Sequence, residues 1–136
     1  MALKASQIQV GDTYSERVVE DLKRTQIVQY AGTSGDYNPL HTDDKFTTEV
    51  AGYPGVFAHG MLTMGMSGRV VTDWVGDGRI TKYGVRFAKQ VWPGDTLTTT
   101  VTVTAVEGDT ADFSVSTRNQ GGDEVVTGYA AARLDP

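Results

Sequence analysis

Residues 60–74 read Gly60-Met61-Leu62-Thr63-Met64-Gly65-Met66-Ser67-Gly68-Arg69-Val70-Val71-Thr72-Asp73-Trp74. Apolar side chains at Met61, Leu62, Met64, Met66, Val70, Val71 and Trp74 follow no period of two and leave little polar face. The stretch therefore predicts one long helix, buried on most sides. Gly65 and Gly68 each cost about 1 kcal/mol there relative to alanine, a loss that close approach by a sheet or by a second subunit would offset.

Beyond this helix the chain reads as antiparallel strands. Thr81 to Val91 places Tyr83, Val85 and Phe87 on one face and Lys82 and Arg86 on the other, and Pro93-Gly94-Asp95 turns the chain. Leu97, Thr99, Val101, Val103 and Ala105 alternate with Thr98, Thr100, Thr102 and Thr104, the pattern of a half-buried strand. Ala111, Phe113, Val115 and Thr117 repeat that period, and Glu124 to Arg133 supplies a last strand whose small residues suit packing on the helix.

Before the helix, Tyr14 to Leu22 predicts a strand whose charges suit a sheet edge. Lys23 to Ser34 predicts a helix with Ile27, Tyr30, Ala31 and Ser34 on one face, ended by Gly35. Asp43 to Val50 suits one or two helical turns, and Ala51 to Val56 a mobile loop. The fold class is α+β: an antiparallel sheet of about four or five strands on one long helix.

The 136 residues suit one domain, with no internal repeat or linker. Hydrophobic content of 39% and charged content of 21% fit a soluble globular chain. No run approaches the ~20 apolar residues of a membrane span. With no cysteine and no signal-peptide pattern at the start, a cytoplasmic location is expected. A net charge of −5 argues against nucleic acid as a partner. The charge is uneven: Arg69, Arg79, Lys82, Arg86 and Lys89 form a basic stretch, either a solvated face or a surface for an anionic partner.

Ser34-Gly35-Asp36-Tyr37-Asn38-Pro39-Leu40-His41 is the stretch that carries chemistry. A separation of five suits neither one helix face nor one strand face. Asn38-Pro39 blocks helix at Asn38. The segment is thus a rigid loop able to turn Asp36 and His41 toward a common point, where they would form a general acid/base pair. The same residues are ordinary turn formers, and Asp36 as a simple turn cap stays open. His41 with Asp43, Asp44 and Glu49 is not taken as a metal site, since one imidazole among carboxylates on an acidic turn is usually solvated. There is no phosphate-binding glycine motif.

Tyr30 to Asp43 closely resembles the signature of the MaoC-like, R-specific enoyl hydratase (hydratase 2) family. Ala58-His59-Gly60-Met61-Leu62-Thr63-Met64-Gly65 resembles the start of that family's central helix, and Phe87 to Leu97 its strand and turn. The resemblance covers nearly the whole chain, which is similar to actinobacterial (3R)-hydroxyacyl-ACP dehydratase subunits of the B type. Asp44 and Gln90 stand where proline is common in the family, and neither is expected to touch the chemistry.

The resemblance implies the hot-dog fold over residues 1–136, with a curved sheet around the helix. It implies reversible hydration of a trans-2-enoyl thioester to the (3R)-3-hydroxyacyl thioester, carried by CoA or acyl carrier protein, with no cofactor and no metal. Asp36 and His41 would act jointly on one water, with Asn38 orienting the loop or the water. Gly60, at a helix start rich in unpaired N–H groups, would bind the oxyanion. Tyr37, His59, Met61, Lys82 and Arg86 are candidate substrate contacts, and His59 is either a third catalytic group or a structural residue. A homodimer, or a heterodimer with a related subunit, is implied. The alternatives are an acyl thioesterase, disfavoured because Asp73 is the helix's one acid and lies far from its start, and a non-catalytic stabilising subunit.

Overall fold

Five strands, two α-helices and short turns make up the computed structural model, which describes residues 3–136. In chain order the elements are β1 (Thr13–Val19), α1 (Arg24–Ser34), α2 (Gly60–Val75), β2 (Ile80–Phe87), β3 (Leu97–Glu107), β4 (Thr110–Arg118) and β5 (Glu124–Arg133). Between α1 and α2 lie a 3₁₀ turn, Pro39–His41, and a π turn, Phe46–Val50. The sheet runs β1-β3-β4-β5-β2 with every neighbouring pair antiparallel, and β1 is an edge strand as its charges predict. One face of this sheet holds α2, which touches all five strands. Among the described residues no helix is long and apolar enough to cross a membrane.

The alternation read in the sequence sets which side chains face α2. Leu97, Thr99, Val101 and Val103 are buried, as are Ala111, Phe113, Val115 and Thr117 opposite them on β4. The expected continuation to Ala105 fails. A register shift between Val103 and Ala105 turns Ala105 out to solvent, as one extra residue in a strand must.

The helix α2 is less enclosed than its composition suggests. Thr63, Ser67, Val70, Val71 and Val75 are buried, but Met61, Gly65, Arg69 and Asp73 form an exposed stripe at intervals of four. The two glycines separate accordingly. A Cβ on Gly68 would stand 2.9 Å from the Tyr83 ring of β2, whereas nothing in this chain lies within 4 Å of one on Gly65. The Tyr83 hydroxyl donates to the Met64 carbonyl at 2.6 Å. Burial pushes that phenol up to about 12, which keeps it a donor at ordinary pH.

Two apolar clusters sit along α2. The first joins Val70, Val71 and Val75 to Val101, Val103, Phe113, Val115 and Ala130. The second joins Leu22, Ile27, Ala58, Val91, Leu97, Val125 and Val126, around the helix start. Between them lies a buried set of hydroxyls. Ser67 Oγ donates to the Thr63 carbonyl at 2.9 Å, lies 2.6 Å from Thr117 Oγ1, and Thr117 lies 2.7 Å from Thr99 Oγ1. Their mutual bonds offset the cost of placing hydroxyls in a core.

Candidate active site

Helix α1 ends where the sequence predicts, at Gly35 in the left-handed region (φ 77°), whose N–H donates to the Ala31 carbonyl at 3.0 Å. The loop beyond is held by a relay of local bonds. Asp36 N–H donates to Ser34 Oγ at 3.2 Å, Asn38 N–H to Asp36 Oδ1 at 3.2 Å, and Leu40 N–H to Asn38 Oδ1 at 3.0 Å. His41 N–H donates to the Asn38 carbonyl at 2.9 Å. With Pro39 opening the 3₁₀ turn, these bonds carry the chain from exposed Asp36 to buried His41. Asn38 therefore holds the loop with its side-chain oxygen.

His41 meets a second imidazole. The His59 ring stacks on it, with centroids 3.8 Å apart and planes 23° from parallel. Each ring commits one nitrogen to a backbone carbonyl. His41 Nδ1 donates to Phe57 at 2.6 Å and His59 Nε2 donates to Asp36 at 3.0 Å. In the neutral ring this leaves the lone pair on His41 Nε2. Phe57 meets His41 edge-on at 5.4 Å, and Tyr53 and Trp92 extend the aromatic wall behind Phe57.

A carboxylate oxygen of Asp36 and a ring nitrogen from each histidine lie within 4.8 Å of one another. One water can bridge groups at that spacing. A metal ion suits the trio poorly. At about 2.1 Å from both rings it would lie well out of two near-parallel planes, off the nitrogen lone pairs.

The start of α2 adjoins this cluster through His59 and carries unspent donors. His59 occupies the N-cap but turns its ring to the loop, so the helix has no side-chain cap. Among the described residues the Gly60 and Met61 amides donate to no protein acceptor. Such groups at a helix N-terminus favour negative charge. A cavity of about 240 Å³ opens here from Phe57, Ala58 and Gly60. Its floor is Thr63, Val91, Val125 and Val126, all buried, and its rim is the exposed run Phe87, Ala88, Lys89 and Gln90. The tip of the Phe87 ring would stand 3.1 Å from a Cβ on Gly60, so only glycine fits without displacing it.

Asp36, Asn38, His41, His59 and Gly60 are thus gathered at one place, while other predicted contacts are not. Tyr37 is 67% exposed and Met61 57% exposed, on the outer stripe of α2 and outside the cavity lining. Lys82 and Arg86 alternate with Tyr83, so they stand on the sheet face turned away from α2; Lys82 lies 5.1 Å over the Tyr129 ring. The basic residue at the cavity rim is Lys89, with Nζ 3.3 Å from Asp123.

Neither departure from the family pattern contacts Asp36, His41 or His59. Gln90 is on the rim, and Asp44 takes the Val56 N–H at 3.3 Å while pairing with Arg24, whose guanidinium holds that carboxyl below its usual range. Asp73, the acid of the thioesterase reading, faces outward and pairs with Arg69 at 3.7 Å. The carbonyl of Phe57 and the ring of Trp92 escaped the sequence reading. A backbone acceptor leaves no residue-type signal, and Trp92 read only as part of a turn.

Solved structures share this architecture. The chain superposes on the (R)-hydratase from Aeromonas caviae involved in PHA biosynthesis with a TM-score of 0.83, at 27% identity, covering 93% of this chain and 97% of that one. The fold is accordingly a hot-dog fold, with the antiparallel sheet around α2. Residues 5–125 match the family described as MaoC like domain. The (R)-specific enoyl-CoA hydratase of Aeromonas caviae is 32% identical over 136 residues, 97% of this chain and 99% of that protein. The 3-hydroxyacyl-thioester dehydratase Y of Mycobacterium tuberculosis is 45% identical over 71 residues, 50% of this chain and 24% of that protein. The chain belongs to the MaoC-like family. It spans a quarter or less of the length of several curated relatives that it matches.

Proposed function

We propose that residues 1–136 form one hydro-lyase domain that interconverts trans-2-enoyl thioesters and (3R)-3-hydroxyacyl thioesters in fatty-acid metabolism. The observation that carries this reading is the approach of the Asp36 carboxylate and His41 beside the unpaired amides of α2.

In the hydration direction a water held between Asp36 and His41 gives a proton to the pair as its oxygen bonds to C3. The C2=C3 π electrons pass into the thioester, forming an enolate whose oxygen is stabilised by the Gly60 N–H and the helix dipole. The pair then returns a proton to C2. The reverse sequence expels water. Asp36 and His41 share the proton as a unit, and His41 Nε2 is the nitrogen free to take part. Asn38 acts by holding the loop.

The substrate is an acyl chain on CoA or acyl carrier protein, with the apolar floor of the cavity beside Gly60 suited to acyl carbons and Lys89 to a phosphate of the carrier. A cytoplasmic location is part of this reading, as the sequence leads one to expect. The working unit is a pair of subunits, a homodimer or a heterodimer with a related chain. The outer edge of β2, together with half-exposed Phe87 and Tyr129, supports a partner on that side.

The test is hydration of crotonyl-CoA and longer trans-2-enoyl-CoA by the purified chain alone, followed by loss of enoyl-thioester absorbance. The product is then offered to a 3R-specific dehydrogenase. Turnover to an R-product is expected. Release of free CoA thiol would instead indicate a thioesterase, and no turnover would leave a subunit that needs its partner's site.

A further inference from the structure

The second buried histidine is used by none of the steps above. We propose that His59 is a positioning residue of the site, bracing Asp36 through its backbone and His41 through its ring; this deepens, and rests on, the hydratase reading.

Two contacts carry the inference. His59 Nε2–H donates to the Asp36 carbonyl at 3.0 Å, fixing the residue whose carboxylate must reach the water. Its ring stacks on His41 at 3.8 Å, fixing the plane in which His41 Nε2 points. At the Asp36 end the loop's side-chain bonds are local, Asp36 N–H to Ser34 and Asn38 N–H to Asp36, while its long-range bonds to Phe57 are made at Leu40 and His41; Asp36 is exposed. Among the described residues, His59, 23 residues further on, is the one that ties that exposed end to the helix start. It thereby sets Asp36 against the Gly60 amide at the other end of the reacting system. Tyr30, edge-on at 4.8 Å, holds the His59 ring from α1.

A purely structural role accounts for less. His59 is 2% exposed and its Nδ1 is buried with no hydrogen-bond partner. Burying an unpaired polar atom costs free energy that a phenylalanine in the same space would not incur. As packing alone, histidine is the poorer choice. As a brace it supplies a flat ring and an N–H on one rigid frame. Nε2 must carry the proton to reach the Asp36 carbonyl, so Nδ1 is left as the spare atom.

The two contacts can be separated. His59→Phe keeps a ring against His41 and removes the donor, while His59→Gln places an N–H near the Nε2 position and removes the ring. Small misplacement of a reacting group costs up to about 100-fold in rate. His59→Phe is expected to lower kcat roughly 10- to 100-fold with KM within about twofold and an unchanged or higher Tm. His59→Gln should recover the part of that loss that comes from the donor and keep a smaller one from the missing ring. Wild-type kcat in the phenylalanine variant would overturn the proposal, as would a loss in both variants that follows Tm. Imidazole ¹⁵N spectra of the wild-type protein test the same brace without turnover. An Nε2–H tautomer at His59 is expected, and an Nδ1–H tautomer would overturn it. A wild-type protein without hydratase activity but with the Nε2–H tautomer would count against the functional reading and leave the brace standing.

Discussion

The two halves of α2 are built for different work. From Val70 onward the helix turns valines onto Val101, Phe113 and Val115, with Trp74 tilted against Phe113 at 5.5 Å, and closes on Gly76, whose N–H donates to the Thr72 carbonyl at 2.9 Å. From Gly60 to Ser67 it buries hydroxyls, starts without a side-chain cap and stands beside a cavity. The closed half satisfies its groups within the chain. The open half leaves amides and an imidazole nitrogen unspent next to an exposed carboxylate. One helix thus carries both a packed core and the candidate site, at opposite ends.

That division predicts separable defects. The largest stability effect lies in the closed half. Phe113→Ala removes a ring 1% exposed and should cost about 3–5 kcal/mol in urea unfolding. Its kcat per folded molecule should stay within about twofold. A fall in kcat of the folded fraction would mean that the two ends are coupled through the helix.

Ser67→Ala probes the boundary between the halves. It removes the bond to the Thr63 carbonyl and leaves Thr99 and Thr117 one partner short, which should cost about 1–3 kcal/mol. Because Thr63 is part of the cavity floor, KM for longer acyl chains should move more than KM for crotonyl-CoA. Equal KM changes for short and long chains would place the acyl group elsewhere.

The fold was legible in residues whose pattern is set by one physical demand. Period-two alternation gave β3 and β4 within a residue or two, since each has one face on α2 and one in solvent, and β5 was read from its run of small residues. The reading of α2 as buried on most sides overlooked that Gly65, Arg69 and Asp73 recur every four residues after Met61, which is the stripe this chain leaves exposed. At the site, Asp36 and His41 were readable from their spacing and from Asn38-Pro39. Strand alternation already set Lys82 and Arg86 on the face opposite Tyr83, but the pattern does not say which face holds α2, and the structure puts the two behind the sheet. The pairing of His59 with Asp36 and His41 was not readable, since it depends on how the loop folds back over 23 residues.

The smallest effect concerns the outer clamps. Arg24 holds the Asp44 carboxyl, and Arg79 the Asp135 carboxyl, below the ordinary value of 3.8. The unfolded chain therefore binds protons more readily than the folded one. The stability these groups contribute is complete above about pH 4 and is lost as pH falls through their depressed folded values. Asp44→Asn should flatten the decline of Tm below pH 4 and lower Tm at pH 7 by less than Ser67→Ala does. An unchanged acid profile would make the Arg24 pair a surface contact without consequence.

The central claim is that Asp36 and His41 act as one unit on one water at the open end of α2. Its most direct measurement is kcat for Asp36→Asn, His41→Ala and the double variant on one enoyl thioester, with melting curves alongside. Each single variant should lose about 10²–10⁴-fold. The double variant should be no more than a few-fold worse than the poorer single one, because removing either partner already disables the pair. Near-normal turnover in either single variant, or losses that multiply in the double variant, would contradict the account.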